Sequence, residues 1–302
     1  SLQVSAEAGV EKLTYERQPI GNIGLGATWL PGDKGTHYLN AYFRSGDQEV
    51  LTADAVLTQK NGRDSLEVNT TFEHFPLSLA NAFMPDQVVT FTGDIDGGLY
   101  INGDMEKPKM SGDLSLDSVS VYARQAGARY WFDNRPLKIE NNQLIFNKFA
   151  IYTTSRNPFT IDGNVDFRNM DRPTANLTLR AQNYTLLDAP RTRESMLYGK
   201  IFVDLNATVR GPLDGLTMRG NMNLLGNTDV TYVLTDSPLT VEDRLGELVT
   251  FTSFTDTTSV QATEVPTMSL GGMDMLMSVH IDDAVRLRAD LSPDRSSRVE
   301  LE

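Results

Sequence analysis

The strongest constraint on this chain is a two-residue rhythm of apolar and polar side chains that recurs as a unit. Residues 199–234 read GKIFVDLNATVRGPLDGLTMRGNMNLLGNTDVTYVL. Val203, Leu205, Ala207 and Val209 alternate with Asp204, Asn206, Thr208 and Arg210. After the turn Gly211-Pro212-Leu213-Asp214-Gly215 the rhythm resumes with Leu216, Met218, Met222 and Leu224. Alternation of this length predicts strands with one apolar and one polar face. Two such strands around a Gly/Pro/Asp loop predict an antiparallel hairpin. The unit occurs earlier, in 97–122: Gly103 and Gly112 stand as Gly211 and Gly220 do, 108 residues apart. Pro136-Leu137-Lys138-Ile139-Glu140 is echoed by Pro238-Leu239-Thr240-Val241-Glu242 at an offset of 102, and Phe149 and Phe251 follow each proline at the same distance. A recurring β unit points to a stacked array.

Along the chain, turn signals fall at regular intervals. Ser45-Gly46-Asp47 and Lys60-Asn61-Gly62-Arg63 divide strands near 37–44, 48–59 and 65–72. Pro76 to Phe83 is expected to form a short helical turn capping the β layer, ended by Pro85-Asp86. Further strands are expected near 89–95, 98–105, 111–121, 128–132, 138–139, 143–146, 150–154, 160–167, 174–183, 199–210, 216–225, 230–233, 248–252, 268–281 and 284–291. Short helices are expected at 192–197 and 241–245, and a Thr/Ser/Asp-rich loop at 253–267. This gives a partial N-terminal β repeat with a capping turn (1–87), two β modules (88–154 and 155–252), and a loop leading into a further module (253–302). The fold class is all-β: an elongated, twisted, stacked antiparallel sheet of repeated hairpins. A closed barrel of the lipocalin type is too small for 302 residues.

Composition excludes several functions. The net charge of −13 argues against nucleic acid, which needs a basic footprint. It also argues against charge-driven docking on an anionic membrane. Without cysteine there is no disulfide, Cys–zinc site or Cys nucleophile. No apolar run approaches a spanning helix, so a membrane anchor is expected outside this stretch.

No chemical motif stands out. Asp94 and Asp96 sit among glycines, but the further acidic positions of a calcium loop are missing, so the stretch reads as a strand edge with a glycine turn. His37, His74 and His280 are scattered and have no metal-ligand spacing. No nucleophile elbow is present. Asn-x-Thr triplets at 69, 176, 183 and 206 are read as products of strand alternation. Residues 123–132 pack arginines beside Tyr130, Trp131 and Phe132; they read as a hairpin tip with an aromatic plug, with lipid headgroup contact as the alternative. Catalytic residues, metal and cofactors are therefore expected to be absent, and the chain is read as non-enzymatic.

The order of these motifs resembles one family. The hairpin Ile101–Leu116 with its degenerate copy Val209–Leu224, the segment Pro136–Phe149, the stretch Pro238–Phe251 and the run Met275–Arg295 are similar to the TamB family of translocation and assembly module proteins, within the AsmA-like group, in the form typical of Bacteroidetes. The resemblance implies a periplasmic, cell-envelope protein anchored in the inner membrane by a segment absent here. It implies a half-open, taco-shaped β structure, a groove with an apolar interior. It also implies roles in outer-membrane protein assembly and secretion with a barrel partner, met through regions outside this stretch, and in phospholipid transport between membranes. On that reading acyl chains would slide along a groove lined by Leu114, Leu116, Val119, Val121, Val203, Leu205, Ala207, Val209, Leu216, Met218, Met222, Leu224, Met275, Met277, Val279 and Ile281. The alternative is a chaperone-like scaffold whose sheet edge pairs with nascent barrel strands and conducts no lipid.

Overall fold

A computed structural model describes residues 2–15, 17–60, 62–84, 88–234, 268–270, 273–290 and 298–301. They form β1 (Val4–Tyr15), β2 (Gln18–Pro31), β3 (Thr36–Ser45), β4 (Gln48–Lys60), β5 (Arg63–Pro76), β6 (Val89–Asp104), β7 (Lys109–Ala123), β8 (Ala128–Phe132), β9 (Leu137–Glu140), β10 (Gln143–Tyr152), β11 (Phe159–Asp166), β12 (Thr174–Ala189), β13 (Leu197–Pro212), β14 (Thr217–Leu224), β15 (Asp229–Val233), β16 (Met268–Leu270), β17 (Met273–Ile281), β18 (Arg286–Asp290) and β19 (Arg298–Leu301). All belong to one elongated, twisted sheet. Two short 3₁₀ turns, Asp33–Gly35 and Leu77–Phe83, are the helical elements among the described residues.

From β1 to β7 the chain is an antiparallel meander, each strand bonded to the next. The long β7 then faces two short strands laid end to end, β8 and β9, and both pair onward with β10. The meander continues through β11, β12 and β13. β13 faces another broken pair, β14 and β15. The two breaks are held differently. Between β8 and β9, the side chain of the buried Asp133 accepts from the backbone N–H and side chain of Arg135. Between β14 and β15, the buried Thr228 hydroxyl accepts from the Phe202 N–H at 3.0 Å.

The period-two pattern leads to an antiparallel sheet, and the structure adds one reversal of that rule. β17 runs parallel to β14 and β18 parallel to β15, at one constant offset from Thr217↔Asp274 to Val233↔Asp290. Alternation carries no information on strand direction. Parallel neighbours need a long connection, and residues 235–267 lie between the two pairs.

Other expectations are corrected locally. Residues 89–104 and 143–152 are each one continuous strand where two were expected: Gly97 and Gly98 stay within the ladder of β6, and in β10 a bulge between Phe146 and Phe149 interrupts the rhythm without ending the strand. Residues 192–197 are no helix: the Ser195 hydroxyl accepts from the Thr192 N–H in a tight turn, and Leu197 opens β13. The expected helix at 241–245, strand at 248–252 and loop at 253–267 lie outside the described residues.

The sheet has no second layer over most of its length. Among the described residues fifteen apolar side chains are buried, six of them alanines, while sixteen large apolar side chains are exposed. A compact domain reverses that balance.

Candidate functional site

Strand register decides which side chains share a face, since directly opposed residues project the same way. Followed strand by strand, it gives one inner face that is apolar from β2 to β17. Leu25, Phe43, Leu51, Phe72, Gly97 and Leu114 form one cross-strand line. Ile139, Leu144, Val165, Ala175 continue the face, and Leu177, Val209, Met218 and Met275 carry it to β17. The outer face is polar: Asn164, Asn176, Arg210 and Thr217 make one such line. On β5 the inner Leu66, Val68, Thr70 and Phe72 are half-buried and the outer Ser65, Glu67, Asn69 and Thr71 are exposed. Half-burial means that these side chains are packed by neighbours without being sealed from water.

All sixteen residues singled out from the sequence project from this inner side. Leu114, Leu116, Val119 and Val121 lie on β7; Val203, Leu205, Ala207 and Val209 on β13; Met218, Met222 and Leu224 on β14; and Met275, Met277, Val279 and Ile281 on β17. Leu216 stands just before β14. They differ in cover. Val119, Val203, Ala207 and Val209 are buried, Val279 is 48% exposed, and the rest are half-buried.

A small closed core lies where β8, β12 and β15 meet. There Ala128 of β8, Leu187 and Ala189 of β12 and Val230 of β15 pack together, with Tyr130, Ile201 and Leu287 around them. β11 begins only at Phe159, so the last turn of β12 has no strand neighbour on that side. Its carbonyls find side chains instead. Asn157 donates to Asn183 O at 2.9 Å, Thr153 to Thr185 O at 2.6 Å and Tyr130 to Leu186 O at 2.8 Å. These bonds fold β8 over β12 and close the trough locally, as buried carbonyls demand partners. Burial raises the Tyr130 and Tyr184 hydroxyls above the ordinary tyrosine value.

The aromatic hairpin divides in the same way. Tyr130 and Phe132 point inward, Phe132 to 6.2 Å from the Phe149 ring, whereas Trp131 projects outward and is 45% exposed. Arg129 stacks over Tyr122 at 5.3 Å and Trp131 at 5.6 Å. Asp94 and Asp96 lie within β6, and no calcium-type loop forms around them. The fold does bring His74, Asp96 and Asp117 from three strands to within 4.8 Å of one another, which spacing along the chain could not show.

Sequence reading missed the first third of this face. The signal was there in Leu66-x-Val68-x-Thr70-x-Phe72. It missed also the bulges that shape the face. Phe72 and Phe75 straddle one, edge to face at 5.8 Å; Phe146 and Phe149 straddle another in the same geometry, also at 5.8 Å. Beside them Ile95-Asp96-Gly97 matches Ile161-Asp162-Gly163. At Gly97 and Gly163, φ is +128° and +119°, and a Cβ would lie 2.1 Å from the facing Asp113 and Asn176 carbonyls respectively. Only glycine allows this approach, which lets the sheet curl inward.

The geometry defines a class: a curled β sheet with an apolar trough, along which no cluster of chemistry-bearing groups lies among the described residues. The family model of the TamB C-terminal domain matches residues 147–299. The chain belongs to the TamB family, and so to the translocation and assembly module proteins of the cell envelope, a non-enzymatic group concerned with outer-membrane assembly. Neither the curated proteins nor the solved structures searched gave a match. Among the described residues no helix is long and apolar enough to cross a membrane.

Proposed function

We propose that the inner face is a conducting surface for apolar cargo, and that the cargo is the acyl chains of phospholipids moving between the membranes of the envelope. The observation that supports this reading is one apolar face, continuous across the register from β2 to β17 and half-buried at most of its positions. An alkyl chain gains about 0.8 kcal/mol for each fully buried CH₂. A dozen carbons lying half-covered therefore gain on the order of 5 kcal/mol, enough to hold a chain and small enough to let it slide. No headgroup pocket is needed. The half-buried methionines of β14 and β17 suit this role, since Met adapts to irregular apolar partners.

The test is native mass spectrometry of the purified chain, with extraction and identification of bound lipid. Co-purifying phospholipid is expected, and its loss in Leu205→Asp and Met277→Asp. Both positions are half-buried, so a charge there meets water at the trough surface. Charges at the buried Val203 or Ala207 would instead destabilise the fold itself. A folded parent free of lipid, or folded variants that keep it, overturns the reading.

A second reading has its own observation. Among the described strands β1 bonds only to β2, and Val4 and Val10 are exposed beside the free edge. Such an edge could accept a nascent barrel strand. Proline at Ala6 or Ala8 would then abolish binding of barrel-strand peptides and leave lipid untouched.

A further inference from the structure

Four strands carry the same device. Lys12 in β1, His74 in β5, Lys148 in β10 and Asn183 in β12 adopt φ of +52°, +49°, +47° and +45°, the left-handed region that side-chain-bearing residues avoid. Each sits in a bulge: the register breaks between Val10 and Leu13, Phe72 and Phe75, Phe146 and Phe149, and Ala181 and Tyr184. A bulge leaves its extra N–H without a ladder partner. In all four the N–H is taken by an Asx side chain of the following strand. Lys12 donates to Asn22 Oδ1 at 2.8 Å, His74 to Asp96 at 2.8 Å, Lys148 to Asp162 at 2.8 Å and Asn183 to Asp204 at 2.7 Å. The flanking apolar residues stay on the inner face, which places the two edge-to-face Phe pairs on the trough floor. By register, the β5 and β10 bulges fall on one line across the sheet.

We infer that Asn22, Asp96, Asp162 and Asp204 are positioning residues that hold each bulged strand bent, and so fix how far the trough opens around its cargo. Bulges bend strands and increase their twist, and here four bends act on one face. The cap makes the strained residue tenable by meeting its N–H; the adjoining glycine, at Gly97 and Gly163, lets the next strand follow the bend. Asn22 shows that an amide oxygen serves as well as a carboxylate. The meaning for cargo rests on the conducting-surface reading; the bend itself does not.

The chain has no cysteine, so two can be introduced cleanly. Nitroxide labels at Gln143→Cys and Tyr152→Cys, the ends of β10, report its bend by pulsed electron resonance. In Asp162→Ala the distance is expected to lengthen towards the roughly 30 Å of a straight strand and to broaden. In Asp162→Asn it returns to the parent value. Lys148→Gly added to Asp162→Ala also restores it, because glycine occupies positive φ freely. An unchanged distance in a folded Asp162→Ala overturns the inference, as does an Asn variant that behaves like Ala. If Asp162→Ala does not fold, the double variant must fold and stay bent; its failure overturns the inference equally. A parent without bound lipid would sink the conducting role and leave this distance test standing.

Discussion

At the end of β11 the guanidinium of Arg168 curls back onto the carboxylate of Asp166, which also accepts the Arg168 N–H at 2.9 Å. The side-chain bond from Arg168, with the backbone bond behind it, holds Asp166 down to about 2, against an ordinary 3.8. The folded-state value lies below the unfolded one. Between about pH 4 and pH 2 the unfolded chain therefore takes up a proton that the folded chain refuses. This contribution is complete above pH 4 and is lost as pH falls through about 2. Urea midpoints followed from pH 5 to pH 2 should fall less steeply in Asp166→Asn than in the parent; parallel curves would refute the assignment. Nothing in the sequence ranked this aspartate above the others. Its partner is only two residues away, but the bond depends on how the chain leaves the strand.

At the scale of elements, the curl depends on glycines whose place would otherwise hold a Cβ. Gly163→Ala and Gly97→Ala should each cost about 1–3 kcal/mol, the usual range for a side-chain-bearing residue forced into such a conformation. Gly215→Ala, where the new Cβ meets only Pro212 at 3.7 Å, should stay within about 0.5 kcal/mol. Chemical denaturation of the three variants decides this; equal losses would show that the close approaches do not matter. The sequence shows Gly112 and Gly220 as matching positions inside two expected strands, and both lie inside strands, β7 and β14. Glycine spacing reports that something recurs. Whether it is a turn or a bend depends on which residues lie across the sheet. The same holds for Phe146 and Phe149: the two-residue rhythm breaks there, which reads as a strand end, yet a capped bulge carries the strand through.

Across the whole molecule, order and cover are unevenly spread. The first seven strands form a curled layer with the 3₁₀ turn Leu77–Phe83 packed on it, and the closed core of Ala128, Leu187, Ala189 and Val230 lies beyond them. Hydrogen exchange should follow that division: amides of β1 exchange first, having partners on one side only, and those of β12 and β13 near Leu187 and Ile201 last. Uniform protection along the sheet would mean that the trough is covered in solution. The all-β class and the choice of the apolar side of β7, β13, β14 and β17 follow from the sequence alone, because alternation is local and each strand carries its own record of which face meets water. Strand direction, the bulge caps and the closing of β8 over β12 are fixed only in the folded molecule. Asp162 meets Lys148, and β17 lies parallel to β14, through pairings between distant residues that no local pattern encodes.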